Sequence, residues 1–331
     1  MDKIKIGVIG TGHLGSIHTR LWKNNPNIEL IGVFDVDSQK SEKVASEFGC
    51  RSFNELDSLL DNVQAVTIAT TTTTHFEISK NCILRGIHCL IEKPITQTYL
   101  EAVELIKIAK ETNVKIQVGH VERFNPALIS LRQYQLQPLF IEAHRLSQFK
   151  SRATDVSVIL DLMIHDIDIM LWLIKSKVKN IYANGVSVLT DTTDIANARI
   201  TFENGAVANL TSSRITAKPM RKMRLFQRNA YISIDFAKQD VEVFRLLKDG
   251  EASSGFAIPA SMLGAIDEAI KNQKIVFEKP QVVSINAIEE EQKAFIESII
   301  NNSPIAVSAE DAAEAIRIAE LITEQIKEFP N

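Results

Sequence analysis

Cysteine is scarce in this chain: three residues in 331, Cys50, Cys82 and Cys89, an odd number without a CxxC spacing. Neither a disulfide framework nor a zinc knuckle is built that way, and a reducing compartment fits best. There is no excess of positive charge. Lys and Arg total 37 against 41 Asp and Glu, a formal net charge of −4, and no basic block stands out. That argues against a nucleic-acid partner, because phosphate neutralisation needs clustered cations. Long apolar runs are missing too, since no window approaches the roughly 18 residues of a membrane span. The opening MDKIKIGVIG has no basic segment followed by an apolar leader core, so a cytoplasmic protein with no membrane partner is expected. No internal repeat or low-complexity linker is found; TTTTT at 70–74 is too short for either.

What the chain does have is 45% hydrophobic residues over a length sufficient for two domains. Over the first 120 residues, short β-like runs alternate with amphipathic segments: KIKIGVIG, a helix from Leu14 to Asn24, IELIGVF, a helix from Ser38 to Phe48, QAVTIAT, a helix from His75 to Arg85, HCLI, a helix from Thr98 to Thr112, and KIQVG. Such alternation predicts a parallel sheet with helices on both faces and right-handed crossovers. Beyond about residue 122, strand-like runs follow one another without helices between them: PLFIEAHRLSQF, NIYANGVSVLT, IANARITFE, AVANLTSSRI, MRKMRLFQ and AYISIDF. Asn204-Gly205 reads as a strong hairpin turn and Arg228-Asn229 as a weaker one. Two late helices, about Ile285–Asn301 and Ala309–Glu328, close the chain, the second opened by Ser308 with Asp311 at capping-box spacing. The fold class expected is α/β: a doubly wound Rossmann domain over 1–122, then an α+β domain over 123–331 with a large open, mainly antiparallel sheet.

GTGHLG places Gly10, Gly12 and Gly15 between a strand and a helix. In a dinucleotide fingerprint the first glycine makes the tight turn, the second lets backbone approach a pyrophosphate, and the third lets helix pack on strand. Asp35 ends the second strand 20 residues after Gly15, where a carboxylate can bind ribose hydroxyls. It would repel a 2′-phosphate and no Arg follows directly, so NAD is favoured over NADP. IEKPIT (91–96) follows the HCLI strand at the edge where open α/β sheets bind ligands. A lysine there suits donation to a substrate hydroxyl or, once desolvated, proton removal; a surface lysine paired with Glu92 is the bland alternative.

Within ILDLMIHDIDIML (159–171) a helix would place Asp161, His165 and Asp168 at i, i+4 and i+7, on one buried face. Three accounts compete: an acid–base histidine, a metal site, and a buried ion-paired histidine. A metal would want further ligands from a second His or Cys cluster, which the sequence lacks, so no metal is expected. Asp166 points off the histidine face towards a capping or domain-contact role, and Asp168 is read as structural.

Taken together, GTGHLG, Asp35, EKP and Asp161-x-x-x-His165 resemble the glucose–fructose oxidoreductase / inositol dehydrogenase (Gfo/Idh/MocA) family over the whole chain. The resemblance implies NAD-linked oxidation of a sugar secondary hydroxyl, with Lys93 and His165 as catalytic pair and Asp161 binding substrate or orienting the histidine. It implies cofactor contacts from Gly10, Gly12, His13, Leu14, Gly15, Asp35, Thr70, Thr71, His75, Glu92 and Lys93, a final helix packing towards the first domain, and a homodimer or homotetramer formed through the open sheet. VGHVERFNPA (118–127) and LMIHDID are similar to the branch that oxidises the 3-hydroxyl of UDP-N-acetylhexosamines. A pyrophosphate-bearing substrate needs cationic donors, and Arg145, Lys150 and Arg152 precede the Asp161 segment, with Arg123 and Asn125 after the last Rossmann strand. Each Arg has an ion-pairing alternative. Met163 stands where glycine is common in the family, which puts the local backbone course in question. The other readings are a free-sugar or inositol dehydrogenase, a hydrolase using NAD transiently, and a non-catalytic NAD-binding redox regulator.

Overall fold

The computed structural model describes residues 3–149, 156–247, 255–257 and 274–328. Contacts divide the chain into two units, Met1–Phe124 with Ile285–Glu320, and Asn125–Ser284 with Leu321–Asn331. Compared with the expected division, the stretch Ile285–Glu320 belongs to the first unit. The reason is visible in its core, where Phe295 and Ile296 join Ile6, Val8, Trp22, Val33 and Leu90.

The first unit is a six-stranded parallel sheet in the order β3-β2-β1-β4-β5-β6. Its strands are β1 Ile4–Ile9, β2 Ile28–Phe34, β3 Arg51–Phe53, β4 Ala65–Ile68, β5 His88–Glu92 and β6 Ile116–Gly119. The four residues of β4 and the last four of β1 are all buried, as strands covered on both faces must be, and that is why they read as continuous apolar runs. The helices include α1 His13–Lys23, α2 Ser38–Phe48, α3 Leu56–Leu60, α4 Thr72–Leu84 and α5 Tyr99–Thr112. A full capping box starts α5, with the Thr98 hydroxyl accepting from Glu101 N–H and the Glu101 carboxylate from Thr98 N–H. At the later Ser308 only the hydroxyl half follows that scheme: it accepts from Asp311 N–H, while the Asp311 carboxylate pairs with Arg123. Trp22, fully buried, donates its indole N–H to Thr67 at 2.8 Å, so the largest core side chain leaves no polar group unmatched. The short β3 and α3 escaped the pattern reading.

The second unit begins with a short helix, α6 Pro126–Ile129, and holds a nine-stranded sheet in the order β14-β15-β13-β12-β11-β7-β10-β9-β8. Its strands run β7 Phe140–Leu146, β8 Val178–Val186, β9 Ile195–Phe202, β10 Val207–Ser213, β11 Met220–Gln227, β12 Ala230–Asp235, β13 Asp240–Leu246, β14 Phe256–Ala257 and β15 Ile275–Glu278. The Asn204-Gly205 turn joins β9 to β10 with Gly205 at φ +86°, and Arg228-Asn229 joins β11 to β12. All pairs among the described residues of this sheet are antiparallel but one: β7 lies parallel to β10. Along β7, Ile141, Ala143 and Arg145 alternate inward, while Phe140, Glu142 and His144 take the other face. Across that other face runs a ladder of rings, Phe140, Phe226, Tyr231, Phe244 and Phe277, with neighbouring centroids 5.0–5.8 Å apart.

The segment read as one regular helix through Asp161 is not one. Ile159–Met163 forms a π-helical turn that leads into α7, Ile164–Ile174. A wide turn of this kind re-aims side chains and recurs at functional sites. Asp161 and His165 are consequently half-buried, whereas Asp166 and Asp168 are buried at 3% and 1% exposure. The expected grouping of Asp161, His165 and Asp168 on one buried face is thereby corrected.

Candidate active site

In the first unit, the nucleotide-binding turn grows from β1. Gly10 sits at φ +88°, and a Cβ there would come within 2.7 Å of the Ala69 carbonyl oxygen after β4. A Cβ on Gly15 would lie 1.8 Å from Gly10 O, so only glycine lets α1 pack this tightly on the turn. Gly12 is the opposite case. It stands exposed before the first residue of α1, a Cβ there would meet nothing within 4 Å, and His13 and Leu14 beside it are also open to solvent. Turn, close packing and open cradle at a helix N-terminus are the three requirements for a dinucleotide pyrophosphate, so the residues present fit NAD. The place is the switch point of the sheet, between β1 and β4, outside the strands' carboxyl ends.

Asp35, at the end of β2, accepts from Thr11 N–H at 2.6 Å and from the Thr11 hydroxyl at 3.0 Å with one oxygen, and from Asp37 N–H with the other. The carboxylate thus ties the glycine turn to the end of β2. After β4, Thr70 and Thr71 present partly exposed hydroxyls at the start of α4. His75 departs from the expected cofactor contact. Its ring is 1% exposed, with Nδ1 2.9 Å from Pro94 O and Nε2 3.2 Å from Thr70 O. Burial pushes its pKa below the usual histidine value, with the backbone hydrogen bonds opposing. As a neutral ring it has one N–H, which donates to one of these two backbone carbonyls, and the ring is buried between them.

Lys93 follows β5, half-buried, in a cis peptide with Pro94. The preceding Glu92 is buried, accepting from His18 Nε2 at 2.8 Å and from Lys93 N–H at 3.2 Å. Burial alone would raise its pKa, but the hydrogen bond from His18 and the charge of Lys93 hold it below the ordinary glutamate value. Glu92 thus supports the lysine turn from inside the fold.

In the second unit, Asp161 and His165 are half-buried along the π turn and the first turn of α7. Three expected substrate contacts have partners within the protein. Arg145 is 3% exposed and forms a two-pronged pair with Asp166, Nε to Oδ2 and Nη2 to Oδ1, both 2.9 Å. Strand alternation decides this, since Arg145 shares the inward parity of Ile141 and Ala143. Arg123, 7% exposed, is committed to Asp311 at 2.9 Å. Asn125 caps α6, accepting from Ala127 N–H and donating to Phe236 O. Arg152, with Lys150, lies outside the described residues.

Sequence reading missed His18, Glu291 and Gln292. The available signal was polar residues on apolar stripes: His18 at i+3 from Gly15 and i−4 from Trp22, and Glu291 at i−4 from Phe295.

Two family models match the chain. One, described as an oxidoreductase family with an NAD-binding Rossmann fold, covers residues 4–120; the other, the GFO/IDH/MocA C-terminal domain, covers 126–233. The UDP-N-acetylglucosamine 3-dehydrogenase of Acidithiobacillus ferrooxidans is 37% identical over 321 residues, 96% of this chain and 98% of that protein. The solved structure of that enzyme, GnnA, superposes with a TM-score of 0.88 at 33% identity over 99% of both chains. An inositol 2-dehydrogenase of Rubrobacter xylanophilus is 28% identical over 56% of each chain. Glycine turn, Asp35, the Glu92-Lys93-Pro94 turn and matches along both units converge: the chain belongs to the GFO/IDH/MocA family of NAD-binding oxidoreductases.

Proposed function

We propose that the protein is an NAD-dependent dehydrogenase that oxidises the 3-hydroxyl of a UDP-N-acetylhexosamine to the ketone, working in the cytoplasm. The observation that carries the substrate is the end-to-end likeness to a protein named for that reaction, 37% identity over 96% of this chain. NAD, when bound, supplies the nicotinamide carbon that accepts hydride from the carbinol carbon. His165 takes the hydroxyl proton, the general-base role that an imidazole fills most often. Lys93 donates to the same oxygen as it gains carbonyl character, and Asp161, one helical turn before His165, orients the imidazole or binds a sugar hydroxyl.

The test is a panel of UDP-sugars and free polyols incubated with NAD, reading NADH formation and locating the new carbonyl by NMR. A UDP-N-acetylhexosamine giving the 3-keto product supports the reading; turnover of free polyols alone would replace it with a free-sugar or inositol dehydrogenase. Lys93→Ala and His165→Ala are each expected to lower kcat by about 10²–10⁴-fold with NAD binding kept. Unchanged kcat in both would refute the assignment.

The exposed face of the nine-stranded sheet is proposed as the contact that makes a homodimer or homotetramer. Its ring ladder supports this, together with Tyr182 and Phe226 at 60% and 38% exposure. Sedimentation of the wild type and of Phe226→Glu reads the outcome: a monomeric wild type would overturn it.

A further inference from the structure

Three segments far apart in sequence meet behind Lys93. The buried face of α1 brings His18, the end of β5 brings Glu92, and the Ala287–Ile300 helix brings Glu291 and Gln292. One ligand atom from each of His18, Glu92 and Glu291 lies within 4.8 Å of the other two, and all three residues are buried. The hydrogen bonds decide where the protons sit. Gln292 Nε2 lies 3.0 Å from His18 Nδ1 and 3.2 Å from His18 O. The carbonyl oxygen can only accept, so the amide faces it with its NH2 group, since reversing it would set oxygen against oxygen, and the same NH2 donates to Nδ1. Nδ1 is therefore the acceptor of a neutral imidazole, and Nε2–H donates to Glu92. Glu92 accepts on both oxygens, from His18 and from Lys93 N–H, as a carboxylate does. Glu291 differs: it is 0% exposed, and neither carboxyl oxygen has a hydrogen-bond partner among the described residues.

We propose that this cluster is a proton-holding clamp for Lys93, in which Glu291 stays a neutral carboxylic acid so that Glu92 alone carries charge beside the lysine. The clamp rests on the reading of Lys93 as the catalytic lysine; His18, Glu92 and Glu291 are positioning residues. Two bare carboxylates this close, away from water, cannot both ionise, and the proton goes to the one without donors. Burial, and then the negative charge of Glu92, push the Glu291 pKa well above the usual range. A metal ion fits less well, because the His18 Nδ1 lone pair is used by Gln292 and its Nε2 carries hydrogen. The space is tailored to Glu92, since a Cβ on Gly119 of β6 would stand 2.9 Å from Glu92 Oε2. The titratable groups bearing on Glu92 are His18 from α1, Lys93 next to it, His75 from α4 and Glu291. A single negative charge at Glu92 favours the protonated lysine and fixes the backbone that aims it.

The experiment uses the full chain loaded with NAD, a UDP-N-acetylhexosamine as substrate, and the variants Glu92→Gln, Glu291→Ala and Glu291→Gln. Glu92→Gln is expected to lower kcat about 10-fold or more with the basic limb of the kcat–pH profile moved to lower pH, because the lysine loses its anion. Glu291→Ala is expected to lower kcat, and Glu291→Gln, which keeps shape and a donor without a charge, to restore it. In the substrate-free protein, the infrared spectrum at neutral pH should carry a carboxylic-acid C=O band that Glu291→Gln removes. Three results would overturn the clamp: no such band, a basic limb unmoved in Glu92→Gln, or a stoichiometric metal ion in the purified wild type that Glu291→Gln loses. Full turnover in Lys93→Ala would instead overturn the reading of Lys93, and the infrared band would still report the proton on Glu291.

Discussion

Replacing Arg145 by Leu should destabilise the second unit by about 3–5 kcal/mol, the cost of stripping one partner from a buried ion pair. The figure applies because Arg145 and Asp166 side chains are 3% and 4% exposed, and both prongs of the pair are 2.9 Å long. Without the guanidinium, Asp166 is left in the interior on α7 and must either stay charged without the two hydrogen bonds from Arg145 or take up a proton. For a unit of this size the loss corresponds to a Tm lower by roughly 10 °C. The proton route adds a pH signature. The Asp166 pKa in the folded variant rises above its unfolded value near 3.9, so the folded state binds more protons, and the variant loses stability as pH rises through that window. Thermal and urea melts of Arg145→Leu, Asp166→Leu and the double variant measure it, and the double variant should recover much of the loss, since an apolar pair of similar volume often replaces a buried ion pair at little cost. Should Arg145→Leu melt like the wild type while its KM for a UDP-sugar rises tenfold or more, the pair is not structural and Arg145 is a substrate ligand after all.

Gly12→Ala and Gly15→Ala separate the two jobs of the glycine turn. The first adds a methyl where nothing lies within 4 Å and should weaken NAD binding in calorimetry while the melting temperature holds; the second collides with Gly10 O at 1.8 Å and should unfold the turn. Asp35→Ala should weaken NAD binding more than it slows turnover, and because Asp35 also holds Thr11, a lower melting temperature should accompany the effect. His75 and His88 both have pKa values pushed down, by burial first. Their folded forms bind fewer protons than the unfolded chain, so stability should hold above pH about 6.5 and fall as pH drops through that value; urea midpoints independent of pH across this window would refute it.

Much of the first unit was legible because a parallel sheet imposes local signals. Strands covered on both faces must be apolar throughout, and the glycines of GTGHLG answer to steric demands within a few residues of themselves. The antiparallel hairpins were legible for the same reason, with Gly205 announcing its turn. Harder to see were β13 and β15, the parallel β7–β10 pairing and the assignment of Ile285–Glu320 to the first unit, all of which depend on partners distant in sequence. The arginines show the limit most clearly. A cationic side chain near a site has the same letter whether it faces an anion or an aspartate, and only parity along β7 hinted that Arg145 turns inward.

The order of strands and helices in the first unit, the glycine turn, the carboxylate after β2 and the spacing of Lys93, Asp161 and His165 are properties of the sequence itself. They follow from side-chain periodicity and steric rules that act over a handful of residues. What the tertiary structure decided is which charges are already spent. Arg145 and Arg123 are held by Asp166 and Asp311, and His75 is buried between two backbone carbonyls, while His18, Glu92 and Glu291 converge from three segments behind one lysine. A buried charge is defined by its neighbours in space, since desolvation makes the nearest partner dominate, and the partner stands 21 residues along the chain from Arg145 and 188 from Arg123.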